Sequence, residues 1–151
     1  MPRLPGHPKF WLGGFVTWFI TLWLFSSFSS PGPDLPPIPH LDKVQHFGYF
    51  FGGAGLFSAF LYRRNPTAPR WLAIIGTTVF VVSLVGGLDE YHQSFTPGRR
   101  GNDLADWLAD FTGSIAGAFV FRLVHRQLLW RQPSTTTLSP SPTTTEPNES
   151  T

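Results

Sequence analysis

Four apolar runs, each close to the roughly 20 residues that cross a hydrocarbon core, dominate residues 10–124 of this chain. They occupy residues 10–28, 44–62, 71–88 and 104–124, with short polar stretches between them. Apolar side chains stand on every side of such runs, so each is expected to fold as a helix buried among lipid or other helices. Trp11, Trp71 and Trp107 lie near run ends, where aromatic belts meet the membrane–water interface. The pattern predicts an all-α protein: a four-transmembrane-helix bundle over residues 10–124, preceded by residues 1–9 and followed by a polar tail, 125–151.

The first run has a competing reading as a secretory signal. Arg3 and Lys9 give it a basic start, and Ser27-Phe28-Ser29 places small residues near a cleavage point. Its apolar part exceeds the about 7–15 residues of a signal core, and it carries Trp11, Trp18 and Trp23. A retained helix is therefore expected. Residues 29–41 hold Pro31, Pro33, Pro36, Pro37 and Pro39 and are expected to be extended and stiff. From Pro133 onward the chain is mostly Ser, Thr and Pro, a composition that cannot bury a core and predicts disorder.

Charge fixes an expected orientation. Arg3, Lys9, Arg63, Arg64, Arg70, Arg122, Arg126 and Arg131 put eight of the eleven Lys and Arg on one side, leaving Lys43, Arg99 and Arg100 on the other. The positive-inside rule then predicts cytoplasmic N- and C-termini. Only 13% of residues are charged, against roughly 25% in soluble domains. Mean hydropathy is near zero because the tail dilutes the apolar runs. The absence of cysteine excludes disulfides and thiolate metal sites. The net charge is only +2, and no basic stripe is interleaved with aromatics, so nucleic acid is not an expected partner.

Against this background six of the nine acidic residues crowd the predicted outer ends of the runs: Asp42, Asp89, Glu90, Asp103, Asp106 and Asp110. An ionisable group inside the bilayer costs about 2.5–3.5 kcal/mol or more at a helix centre, which marks these residues as functional or tightly paired. Asp42 and Gln45 have capping-box spacing. His46 lies one turn on from Asp42, and that spacing suggests an Asp–His pair. On the fourth run Asp103, Asp106, Asp110, Gly113 and Gly117 fall within about 80° of one another at 100° per residue. Asp103 or Asn102 can cap that helix, with Asp106 as the third-position partner. Asp110, deeper, has no capping explanation. Asp89 and Glu90 end the third run, at the negative end of its dipole, and are expected to find cations among Lys43, Arg99 and Arg100. Thr96-Pro97-Gly98-Arg99 predicts a tight turn. A stripe of Gly48, Gly52, Gly55 and Ala59 on the second run is expected to pack against another helix.

These residues resemble the VanZ-like family of small bacterial membrane proteins. The resemblance rests on Asp42-Lys43-x-x-His46-Phe47 and on Asp89-Glu90-x-x-Gln93 followed by Pro97-Gly98-Arg99, Asp106, Gly113 and Gly117. It covers roughly residues 10–124. It implies a polytopic protein of the bacterial cytoplasmic membrane. The founding member is associated with low-level resistance to teicoplanin, a lipoglycopeptide. The family commonly has Asn where this chain has Asp110.

Three functions compete. In the first, an outward polar pocket of Asp42, Lys43, His46, Asp89, Glu90, Gln93, Arg99, Asp106 and Asp110 binds an envelope lipid or glycolipid head group, or a lipoglycopeptide. In the second, a membrane-embedded enzyme acts on a lipid-linked or phosphorylated substrate, with His46 as base and Asp89 and Asp106 as acid or metal partners. In the third, the charges are interhelical clamps. No cofactor is predicted, although imidazole and carboxylate donors suit a divalent metal. The lipid bilayer is an expected partner, and the glycine stripes also suit a homo-oligomer.

Overall fold

The computed structural model describes residues 6–28, 40–99 and 101–128. The proline stretch, Arg100 and the tail beyond residue 128 lie outside the described residues. Four helices follow in order: α1 (Pro8–Ser27), α2 (Leu41–Arg64), α3 (Trp71–Gln93) and α4 (Leu104–Leu128). Among the described residues there is no strand. Pro8 opens α1 where its missing N–H is not needed, and the His7 imidazole accepts the Lys9 N–H at 3.2 Å.

Three helices, α1, α3 and α4, are long and apolar enough to cross a membrane. α2 is long enough but less apolar. Asp42, Lys43, Gln45 and His46 stand in its first turns and Arg63 and Arg64 at its end, with Gly48, Gly52, Gly53 and Gly55 between. The helices also outrun the apolar runs. α3 continues through Asp89 to Gln93, which turns that polar segment into part of a packed face.

α1 buries Trp11, Phe15, Trp18, Leu22 and Ser26, a stripe with spacings of three and four that presents one face. Trp18 Nε1 donates to Tyr49 O at 3.1 Å, and Tyr49 Oη donates to Trp18 O at 2.8 Å. The two rings stack at 5.4 Å. Gly53 makes the approach feasible, since a Cβ there would stand 2.5 Å from the Trp18 indole. Phe15, Trp18, Leu22, Phe50, Ala54 and Val82 form the main core. A smaller cluster of Trp11, Ala59 and Phe121 closes the opposite end.

α2 and α4 make the closest contact of the bundle. Gly113 lies on the carbonyl of Phe47 and Gly117 on that of Phe51, and neither place has room for a Cβ. Buried hydroxyls satisfy one another across helices. Ser58 pairs with Thr78 and Ser83 with Ser114, each at 3.1 Å.

Within this bundle only Ala59 of the expected α2 stripe is buried. A Cβ added at Gly48, Gly52 or Gly55 would meet nothing within 4 Å, and Gly48 and Gly52 are exposed. The face of α2 that packs is instead that of Phe50, Gly53, Ala54 and Ser58. The bulky aromatics of α1 and the bare backbone of α4 fix that rotation. Gly117→Leu should therefore destabilise the bundle by about 1–3 kcal/mol, the usual range for overpacking, whereas Gly52→Ala should leave it unchanged or firmer. Thermal unfolding of the detergent-solubilised protein, followed by circular dichroism, checks both.

Candidate polar site at one end of the bundle

The C-terminal ends of α1 and α3 and the N-terminal ends of α2 and α4 meet at one end, and all six clustered acids lie there. The turn between α3 and α4 is well defined. Arg99 N–H donates to Thr96 O at 3.1 Å. Pro97 and Gly98, with φ 79° at Gly98, give the type II arrangement in which glycine takes the left-handed position. Gly101 lies directly against the backbone of Gln93 and Ser94.

α4 is capped by Asp103, whose Oδ1 accepts the Ala105 N–H at 2.8 Å. Asp106, the expected reciprocal partner of the cap, turns instead to Lys43. α2 has no such cap. His40 occupies its N-cap in the left-handed region, φ 62°, with no side-chain cap bond. The helix starts earlier than the capping-box spacing requires, so Asp42 falls inside the first turn. There it bonds Lys43 Nζ at 2.7 Å and remains exposed.

Lys43 is the central cation. Its Nζ lies 2.7 Å from Asp42 Oδ2, 3.3 Å from Asp103 Oδ2 and 2.7 Å from Asp106 Oδ1. These bonds, with Asp106 foremost, raise the Lys43 pKa. The Asp103 carboxyl is held below its usual range, chiefly by the Ala105 N–H and then by Lys43.

His46 pairs across helices rather than along its own. Its Nδ1 lies 2.9 Å from Asp110 Oδ1, so the expected partner Asp42 is replaced by Asp110. The choice follows from burial: Asp110 is fully enclosed while Asp42 faces outward. Gly86 makes room for it, since a Cβ there would stand 2.7 Å from Asp110 Oδ2. The Gly86-Gly87 pair just before Asp89 was the signal available in the sequence for that close approach.

Asp89 and Glu90 do not find cations among the described residues. Asp89 Oδ2 accepts from Gln93 Nε2 at 2.7 Å. Glu90 Oε2 accepts the Asp103 N–H at 2.8 Å, and its main-chain carbonyl accepts the Asn102 N–H at 3.2 Å. Glu90 thereby splints the start of α4 to the end of α3. Arg99 also departs from expectation: it donates to the carbonyls of Phe25 (2.7 Å) and Phe28 (3.3 Å). Those acceptors carry the negative end of the α1 dipole, and they hold the guanidinium over the end of α1.

Beside this network opens a cavity of about 980 Å³. His46, Asp89, Gln93 and Arg99 supply its polar side, and Leu22, Phe25, Phe28, Val44 and Tyr49 its apolar walls. The α1 residues of this lining carry no charge and gave no signal in the sequence. Tyr49, one turn beyond His46, could have been placed by helical spacing.

The charge arrangement sets a pH window. Lys43 has its pKa raised, so its stabilising contribution is complete below the unfolded value of 10.5 and is lost as pH rises through the folded one. Asp103 has its pKa lowered, so its contribution is complete above 3.8 and is lost as acid protonates it. Lys43→Met should thus lower the melting temperature by several degrees at pH 7. The deficit should persist down to about pH 4 and shrink only below it, as acid protonates Asp103. Thermal scans from pH 2 to pH 9 check this.

Comparison with curated proteins and with solved structures gives no match. The VanZ/LLP1 family model matches residues 9–125. That span takes in both motif segments, the glycine contact of α4 and nearly all of the four helices, and on it the chain belongs to the VanZ/LLP1 family.

Proposed function

We propose that the chain is a multi-pass protein of the bacterial cytoplasmic membrane, with all four helices spanning and both termini in the cytoplasm. In this reading the polar end faces outward and binds an amphipathic envelope molecule: a lipid or glycolipid head group, or a lipoglycopeptide such as teicoplanin. One observation carries it. The cavity offers hydrogen-bonding groups on one side and aromatic and aliphatic walls on the other, the division that a head group joined to an acyl chain would match. Gln93 and Arg99 are donors on that side, and Asp89 Oδ1 is an acceptor with no protein partner. Glycopeptide resistance would follow if the bound molecule controls access of such drugs to the envelope.

The His46–Asp110 pair favours a second reading, a membrane-embedded enzyme acting on a lipid-linked or phosphorylated substrate. A carboxylate behind an imidazole fixes its tautomer and raises its basicity, as a general base requires.

Native mass spectrometry of the purified protein separates these readings. A binder should retain one envelope lipid class on the wild type, and Gln93→Leu should reduce its occupancy at least threefold. An enzyme should instead change the lipid composition of the cells, and His46→Gln should abolish that change. No lipid class retained by the wild type, together with identical lipid compositions in cells with and without the protein, would sink both.

A further inference from the structure

We infer that His46, Glu90 and Asp106 form a binding site for one divalent transition-metal ion of the zinc or manganese kind. A ring nitrogen of His46 and one carboxylate oxygen each from Glu90 and Asp106 lie within 4.8 Å of one another. Small rotamer adjustments bring three such atoms to the about 2.0–2.2 Å that nitrogen and oxygen ligands adopt around one ion. The three residues come from α2, α3 and α4, so an ion there would tie three helices together.

Two further observations point to a cation at this place. Glu90 is 4% exposed, and its Oε1 has no hydrogen-bond partner although Oε2 is engaged. Buried polar atoms in native proteins rarely go unpartnered, and a metal ion bound by Glu90 would supply the partner. The charge balance agrees. Asp89, Glu90, Asp106 and Asp110 are 2%, 4%, 7% and 0% exposed. Among the described residues, Lys43 pairs with Asp106 and His46, when protonated, with Asp110, while Arg99 is turned to the carbonyls of α1. A dication redresses an excess of buried negative charge that would otherwise be costly.

The surroundings are those of a supported site. Asp110 receives Nδ1 of His46 at 2.9 Å, which leaves Nε2 with the lone pair and orients the ring, the carboxylate–histidine–metal arrangement. Lys43 Nζ lies 2.7 Å from Oδ1 of Asp106, and a carboxylate has two oxygens to share between a cation and an ion. One imidazole and two carboxylates without thiolate suit zinc or manganese better than copper(I). Three protein ligands leave coordination positions for water or a ligand oxygen. The inference does not rest on the lipid-binding reading, and its test uses no lipid ligand.

The test is metal binding by the full-length protein in detergent, washed with EDTA and dialysed against Zn²⁺ or Mn²⁺, with bound metal measured by mass spectrometry. Wild type should take up close to one equivalent. Glu90→Gln and His46→Gln should each weaken binding more than tenfold. Asp110→Asn, which alters only the support of His46, should weaken it about 10–100-fold. Circular dichroism and gel filtration report whether each variant folds. As a readout free of variants, Co²⁺ bound to the wild type should show visible absorption bands that Zn²⁺ displaces. A wild type that binds no metal after EDTA washing would overturn the inference. So would binding that Glu90→Gln and His46→Gln leave unchanged.

Discussion

The contact of α4 on α2 governs the rest of the molecule. Gly113 and Gly117 let the two backbones meet at the carbonyls of Phe47 and Phe51. Both cross-helix pairs of the polar end, Lys43 with Asp106 and His46 with Asp110, lie directly above that contact. A helix held further away by side chains would leave Lys43 and His46 short of their partners. Two hydrogen atoms in place of two side chains thus set the distance at which the carboxylates meet their cations.

The second constraint is the expense of leaving charge unmatched where water is scarce. It explains why nearly every polar group at this end has a specific partner: Gln93 for Asp89, the Asp103 N–H for Glu90, and the terminal carbonyls of α1 for Arg99. It also singles out the exceptions, one oxygen each on Asp89, Glu90, Asp106 and Asp110 that accepts no hydrogen bond, although the Asp106 oxygen lies 2.7 Å from Lys43 Nζ. The Asp89 oxygen belongs to a cavity-lining residue, the Glu90 and Asp106 oxygens to residues of the inferred metal site, and the Asp110 oxygen to the residue that supports His46.

Much of this was legible in the sequence. The apolar runs located the four helices because burial among lipid or helices demands continuous apolarity, and that signal is strong in a short chain. The acidic face of α4 was predictable because one helix fixes the angles among Asp103, Asp106 and Asp110. The partners across helices were not. Local spacing points His46 at Asp42, because neighbours along one helix are visible in a sequence and packing between helices is not. The glycines show the same limit. Gly53, which receives Trp18, and Gly48, which faces open space, are equivalent in composition, and only the rotation of α2 distinguishes them. The position of Arg99 depends on where α1 ends, beyond the reach of any local pattern.

The separation of the paired residues along the chain bears on how the protein is made. His46 and Asp110 are 64 positions apart, and Lys43 and Asp103 are 60. A ribosome adding about 5–20 residues per second leaves α2 without its counter-charges for several seconds after it emerges. α2 is also the helix least able to enter lipid on its own apolarity. If α2 spans the membrane as proposed, its stable insertion waits for α4, so the helix that carries the counter-charges commits the second one to the membrane.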